Sequence, residues 1–105
     1  GADVTLNNKY YRSALMMASM EGHLLVVQLL IEMGADFNVQ DVYLKSALML
    51  ASEQGHLQVV QLLLEKGADL NPQDRKYGRS ALMLASEQGH LQVVQMLIEK
   101  GADVT

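Results

Sequence analysis

One segment of this chain, SALMLASEQGHLQVVQ, occurs twice without a change, at Ser46–Gln61 and at Ser80–Gln95. A third and altered copy, SALMMASMEGHLLVVQ, occupies Ser13–Gln28. A sequence that repeats at a fixed period folds as a stack of like units, because one unit cannot bury its apolar face alone and needs a neighbour to cover it. The repeat therefore constrains the fold more than any other feature of the chain.

The boundaries of the units follow from the triplet Gly-Ala-Asp. It recurs with a period of 33 or 34 residues, beginning at Gly1, Gly34, Gly67 and Gly101. About three units are the minimum for a stable stack. We therefore predict a single domain of 105 residues, which consists of repeats at about 1–33, 34–66 and 67–100 and a C-terminal stub at 101–105.

Each unit has the pattern of helix, tight turn, helix and loop, which is clearest in the second unit. Ser46 is a good N-cap for the short helix ALMLASEQ that follows it. Gly55 ends this helix. In the following LQVVQLLLEK the apolar residues fall at helical spacing, and Gly67 ends this helix because glycine adopts the left-handed conformation at little cost. The remaining segment, ADLNPQDRKYGR, is rich in turn formers and must connect one helix pair to the next.

This unit resembles an ankyrin repeat, and the resemblance covers the whole chain. The segment GHLQVVQLLLEKGADLN is similar to the second helix of that family and its exit into the loop, and SALMLAS stands in the place of its Thr-Pro-Leu-His-x-Ala-Ala motif. The resemblance implies an all-α solenoid, in which stacked helix-turn-helix pairs are joined by β-hairpin-like loops that project as fingers. The inner helices and the fingers would form a concave face.

Two departures from the family motif lie in the inner helix. The proline at its first position is alanine in every repeat, which removes a rigid helix start. The histidine is methionine, at Met16, Met49 and Met83. Because the resemblance implies that this histidine takes part in polar bonds between repeats, we expect the seam here to depend on apolar packing instead. We interpret the three methionines as core residues.

A third departure lies in the fingers. The glycine that the family has near the finger tip is present only as Gly78, whereas Tyr11 and Leu44 occupy that place in the other repeats. A side chain in a left-handed turn costs about 1 kcal/mol or more. We therefore expect the first two fingers to be wound differently from the third, which also has one extra residue between Asp74 and Ser80.

Catalytic and metal chemistry find little support in the sequence. The chain has no cysteine, which excludes disulfides and thiolate chemistry. His23, His56 and His90 each precede the second helix of their own repeat, and stacked helices lie about 8–10 Å apart, too far for three rings to share one zinc ion at about 2 Å. We interpret them as structural turn residues. We expect no catalytic residues, no metal and no cofactor.

Charge and hydropathy limit the partners. The net charge of -4 argues against a dedicated nucleic-acid binder, which would normally be basic. No segment reaches the apolar length of a membrane span, and none has the pattern of a signal peptide. Together with the absence of cysteine, these features favour an intracellular protein, cytoplasmic or nuclear.

The residues that differ among the nearly identical repeats concentrate in the fingers, NNKYYR, QDVYLK and QDRKYGR. All four tyrosines and six of the eight basic residues lie there, and tyrosine and arginine are enriched in binding hot spots. Near this strip, Met20 replaces a glutamate of the other repeats and is a candidate apolar anchor or, alternatively, a compensated substitution in the first repeat. We predict a partner-binding surface, called the finger surface below, that consists of Lys9, Tyr10, Tyr11, Arg12, Met20, Val42, Tyr43, Lys45, Arg75, Lys76, Tyr77 and Arg79.

Two functions from different classes fit these observations. The first is a monomeric, non-catalytic interaction module that binds a protein or peptide of acidic and apolar character through the finger surface and the concave face. The alternative is a structural segment of a longer or idealised array that stacks head to tail on itself, because polar capping faces are missing from the terminal repeats. A third and weaker interpretation is that the basic fingers contact RNA or DNA. The plainest interpretation of the fingers is that they are polar tips whose tyrosines cover one another.

Overall fold

Six helices in three pairs form the computed structural model, which describes residues 6–104. In chain order they are α1 Ala14–Glu21, α2 Leu24–Glu32, α3 Ala47–Gln54, α4 Leu57–Glu65, α5 Ala81–Glu87 and α6 Leu91–Glu99. Helix α3 packs between α1 and α5 in an inner layer, and α2, α4 and α6 form an outer layer. The stack measures 43 × 26 × 19 Å. The first Gly-Ala-Asp triplet and Thr105 lie outside the described residues.

The serine caps are confirmed in all three repeats. The hydroxyl oxygens of Ser13, Ser46 and Ser80 accept hydrogen bonds from the backbone N–H three residues on, at 3.2–3.3 Å. These bonds satisfy an otherwise unpaired donor in the first turn of each inner helix. In the second repeat the sulfur of Met49 also lies 3.5 Å from the backbone nitrogen of Ser46, as a weak acceptor. A short polar motif therefore sets where each inner helix begins.

The core runs along the inner layer and one stripe of each outer helix. Leu48, Met49 and Leu50 of α3 are almost completely buried, and so are Val60 and Leu63 of α4. The methionine column is core in the first two repeats only. Met16 and Met49 are each 1% exposed, but Met83 is 43% exposed at the C-terminal face of the stack. The interpretation as core is therefore wrong for Met83, because no following helix within the described residues covers it.

The three fingers share a left-handed residue at the same place in the turn. Tyr11, Leu44 and Gly78 have φ angles of 58°, 62° and 66°, all in the left-handed region. The expectation that the first two fingers are wound differently is thus wrong at this position. What differs is the length of the third finger: Gly78 N–H donates to the carbonyl of Asp74, four residues back, whereas Leu44 N–H donates to that of Asp41, three back. The fold holds two bulky side chains in a conformation that favours glycine.

Leu44→Gly should therefore stabilise the protein. Glycine adopts the left-handed conformation without the strain that the leucine side chain causes. After the entropic cost of ordering glycine is subtracted, the free energy of unfolding should rise by about 0.5–1 kcal/mol. Urea unfolding followed by circular dichroism measures this change. The matched substitution Gly78→Ala, at the same place in the third finger, should have the opposite sign. A loss of stability in Leu44→Gly would show that side-chain contacts of Leu44 outweigh its backbone strain.

Candidate partner-binding surface

A single side-chain oxygen organises each finger. In the second finger, Oδ1 of Asp41 accepts hydrogen bonds from the backbone N–H groups of Tyr43 and Lys45, both at 2.9 Å. Asn8 and Asp74 bind the corresponding N–H groups of the first and third fingers. Asp41 and Asp74 are buried, at 3% and 4% exposure. The only two acidic residues of the finger strip are therefore structural, and the charge that the fingers present to solvent is almost entirely positive.

Arg12 joins the first finger to the second. Its Nε donates to Oδ2 of Asp41 at 3.0 Å. Its guanidinium also lies over the rings of Tyr10 and Tyr43, 5.3 and 5.8 Å from their centroids. The two rings are stacked with centroids 6.3 Å apart. The interpretation that tyrosines of neighbouring fingers cover one another is thus confirmed for Tyr10 and Tyr43 only, and these two rings with Arg12 are part of the framework of the finger surface.

The backbone continues the bridge from finger to finger. Val42 N–H donates to the carbonyl of Tyr10 at 2.9 Å, and Arg75 N–H donates to the carbonyl of Tyr43 at 2.8 Å. Donor and acceptor are the same number of residues apart in both pairs, so the second finger pairs with the first in the same register as the third with the second. Val42 is half-buried here, so its place on the finger surface is at the junction of two fingers.

Two more cations of the finger surface are held by acidic side chains of their own repeat. Lys45 Nζ lies 3.2 Å from Oε1 of Glu53, and Arg79 lies 2.8 Å both from Oδ2 of Asp74 and from Oε2 of Glu87. Glu53 and Glu87 lie in the last turn of their inner helices, at the position where the first repeat has Met20. The first repeat has no glutamate at that position, and Arg12 pairs with Asp41 of the next finger.

Met20 lies at this helix end, half-buried and packed against the core. Its backbone carbonyl oxygen lies 2.9 Å from the ring nitrogen Nε2 of His56, within hydrogen-bond distance. The side chain is thus less available than an exposed anchor would be. Whether it contacts a partner stays a prediction, as does the remainder of the finger surface.

The pKa of Asp74 reflects its place in the third finger. Burial raises the pKa, but the backbone N–H of Arg79, the Arg79 guanidinium and the N–H of Tyr77 all bind the ionised form. The net effect lowers the pKa below its ordinary value of 3.8. The hydrogen bond that the Arg79 guanidinium donates to Asp74 correspondingly raises the pKa of Arg79, which stays a cation.

Five exposed members of the finger surface make neither an ion pair nor a ring–ring stack within residues 6–104: Lys9, Tyr11, Arg75, Lys76 and Tyr77. Lys9 and Lys76 lie over the rings of the tyrosines that follow them, 5.2 and 5.0 Å from the centroids. Tyr11 and Tyr77 are 64% and 67% exposed. These five side chains are the part of the finger surface that is least engaged by the fold, and contact with a partner stays a prediction for the whole set.

Two clefts separate the fingers. The cleft between the second and third fingers has a volume of about 290 Å³ and is lined by Arg12, Tyr43, Lys45, Asp74, Lys76 and Arg79. The structure thus brings five of the predicted residues to one cleft. A larger cleft of about 470 Å³ lies beside Tyr11 and Val42 and is also lined by Val39 and Gln40. Neither of these last two residues was predicted from sequence, because Val39 precedes the finger segment QDVYLK and Gln40, its first residue, is the same residue type as Gln73 in the third finger.

His56 and His90 have the structural role that the sequence predicts, and they also bind across repeats. Their Nε2 atoms lie 2.9 Å from the carbonyl oxygen of Met20 and 3.0 Å from that of Glu53, each in the preceding repeat. Asp69 N–H donates to Oδ1 of Asn38 across the same seam. The expectation of a seam that depends on apolar packing is therefore wrong in part, because residues other than the motif histidine supply polar bonds.

The repeated capped helix pairs, the fingers and the polar seam agree with the comparison to known families. A model of ankyrin repeats matches the chain in three copies, over residues 1–74 and 46–105. The chain belongs to the ankyrin repeat family. Ankyrin repeats are generally protein-interaction modules and typically non-catalytic. A comparison with curated proteins found no similar sequence. Among residues 6–104 of this ankyrin repeat protein, no helix is long and apolar enough to cross a membrane.

Arg12→Ala should destabilise this ankyrin repeat protein by about 1.5–3 kcal/mol, because a charge-assisted hydrogen bond is lost and the buried Asp41 carboxylate keeps no side-chain cation. Urea unfolding measures the change. Lys9→Ala is the matched control, since it also removes a cation next to Tyr10 but breaks no ion pair, and it should change stability by less than about 0.5 kcal/mol. Equal effects of the two substitutions would contradict a structural role for Arg12.

Asp74→Asn should change how stability depends on pH. Since the pKa of Asp74 is lower in the folded than in the unfolded protein, ionisation stabilises the fold above 3.8, and this contribution is lost as the pH falls through the lower folded value. The variant should be less stable than the parent near neutral pH, and the gap should shrink between about pH 5 and about pH 2. Urea unfolding over this range tests the prediction. Asn8 shows that an amide can accept the backbone hydrogen bonds of a finger. A difference in stability that does not change with pH would therefore contradict a stabilising role for the charge of Asp74.

Proposed function

We propose that this ankyrin repeat protein is a non-catalytic interaction module that binds an acidic segment of a partner protein along the finger surface. The observation that carries the proposal is that the fingers bury their acidic side chains and expose several of their basic ones. Both acidic side chains are buried and bonded to the fingers' own backbone, whereas Lys9, Arg75 and Lys76 face solvent without a counter-ion among the described residues.

The cleft between the second and third fingers suits a carboxylate. Of the cations that line it, Lys76 is exposed, whereas Lys45 and Arg79 are half-buried and already paired with Glu53 and Glu87, and Arg79 also with Asp74. Glu87 is the more exposed of these glutamates, with 46% of its side chain accessible. A partner carboxylate could take its place on Arg79, and the complementary charge would favour acidic over basic segments.

The neighbouring cleft supplies apolar contact. Tyr11 is largely exposed at its edge, and Val39 is 40% exposed within it. Because aromatic side chains contribute large contact areas at low entropic cost, a partner with an apolar residue beside its acidic ones fits the two clefts together. We propose Lys9, Tyr11, Arg75, Lys76 and Tyr77 as the contacting residues, with the rest of the finger surface as their support.

The remaining parts of the proposal concern organisation. We propose that the three repeats act as one domain over residues 1–105, supported by the packing of α3 against both α1 and α5. The absence of catalysis is supported by the engagement of the serines as caps and of His56 and His90 in seam bonds. An intracellular location, cytoplasmic or nuclear, agrees with the absence of cysteine.

The proposal is tested with peptides selected against the parent protein from a displayed random-peptide library. Selected peptides should be enriched in Asp and Glu beside an apolar residue. Arg75→Ala with Lys76→Ala should weaken their binding about tenfold or more, as measured by fluorescence anisotropy. Tyr77→Ala should weaken it as well.

The matched control is Lys66→Ala with Lys100→Ala, which removes the same charge from the ends of the outer helices. It should leave the affinity nearly unchanged. Equal loss in both double variants would mean that net charge alone drives the binding. Selected peptides without acidic enrichment would refute the proposed partner chemistry, and equal affinity for single-stranded RNA would favour the nucleic-acid alternative.

A further inference from the structure

The seam between repeats contains a contact that occurs twice in the same form. The ring of His56 lies against Gly22 of the preceding repeat, so closely that a Cβ on that glycine would come within 2.5 Å of Nδ1. The ring of His90 lies against Gly55 in the same way. In both cases Nε2 reaches the carbonyl two residues before the glycine, in Met20 or Glu53. The glycine's lack of a side chain is therefore what allows the ring to reach the helix end.

Each end of the described stack carries one half of this contact. Gly89 has a φ angle of 72°, close to those of Gly22 and Gly55, and no atom lies within 4 Å of the place of its Cβ. It follows Glu87 by two residues, so the carbonyl of Glu87 corresponds to the carbonyls that bind His56 and His90. At the other end, the imidazole of His23 is exposed and makes no hydrogen bond within residues 6–104.

Apolar surface surrounds both half-contacts. Val26 of α2 is 48% exposed, although the equivalent Val59 and Val93 are each 1% exposed against a preceding repeat. At the other end, Met83 of α5 is 43% exposed, although its equivalents Met16 and Met49 are each 1% exposed beneath a following repeat. The residues left exposed at the ends are thus the ones that the seam buries inside the stack.

We propose that the face of one copy that carries His23 and Val26 docks on the face of a second copy that carries Gly89 and Met83. His23 would lie against Gly89 and bond the carbonyl of Glu87. A second copy fits because the contact continues an interface that the chain already makes twice, with residues of the same type at the same positions. Such a contact is head-to-tail, so it leaves one face of each kind free and allows further copies to add.

The direction of assembly gives the sharpest test. Val26→Glu blocks one face and Met83→Glu blocks the other. Because both positions are exposed, a glutamate there should not prevent folding, and circular dichroism checks this. The parent's mass by light scattering should rise with concentration, and each variant alone should stay a monomer. The two variants mixed in equal amounts should form a dimer that grows no further, because each keeps the face that the other lacks.

Two controls lie on the first and last outer helices, α2 and α6, at positions that the seam leaves exposed. Leu25→Glu and Gln95→Glu change exposed positions whose equivalents are also exposed inside the stack, such as Gln58 and Gln61. They should leave self-association unchanged, as should the double substitution of Arg75 and Lys76, which separates this contact from partner binding by the fingers.

His23→Ala examines the histidine itself. Loss of its hydrogen bond should weaken self-association about 3- to 10-fold without unfolding the protein. A parent mass that stays that of a monomer at every concentration overturns the proposal. A parent that associates while the mixed face variants do not dimerise overturns the head-to-tail arrangement in favour of a symmetric contact.

Discussion

The burial of each inner helix by its neighbours is the interaction on which the rest of the structure depends. Helix α3 has only eight residues, and an isolated helix of that length is marginal in water. Six of its residues are nevertheless buried, because α1 covers one side and α5 the other. The serine caps and left-handed glycines set the ends of such a helix, but stacking is what keeps it folded. The positions of the fingers, the clefts and the two end faces all follow from this stack.

The fingers show how an acidic chain comes to present a basic edge. Asn8, Asp41 and Asp74 use their side-chain oxygens to bind the backbone of the turn that follows each of them. Two of the three carry charges that are thereby removed from the surface. The strain at Tyr11 and Leu44 is tolerated because these same bonds, and the backbone bonds between fingers, fix the turn from both sides. Charge and shape of the edge therefore have one origin.

Most of the fold could be predicted from sequence because its signals are local. Ser46 and the glycine nine residues later mark the two ends of one helix, and the same pair of residues recurs from Ser13 and from Ser80. The methionines in the family's histidine position led to an expectation for the seam that is wrong in part, since polar bonds from a different histidine add to the apolar packing of Met16 and Met49. His56 meets Met20 across 36 residues, and no local pattern announces a ring that binds a backbone carbonyl of the preceding repeat.

The sequence by itself determined the repeat, the helix boundaries, the finger segments and the concentration of tyrosine and basic residues in them, because each depends on spacing and residue type within one unit. Only the tertiary structure decided which of those residues are free. Arg12 and Asp41 pair across 29 residues, and Tyr10 stacks on Tyr43 of the next finger, so both are committed to the framework. An ion pair or a ring stack depends on distance in space, and in a stacked chain that distance is set by the neighbouring repeat.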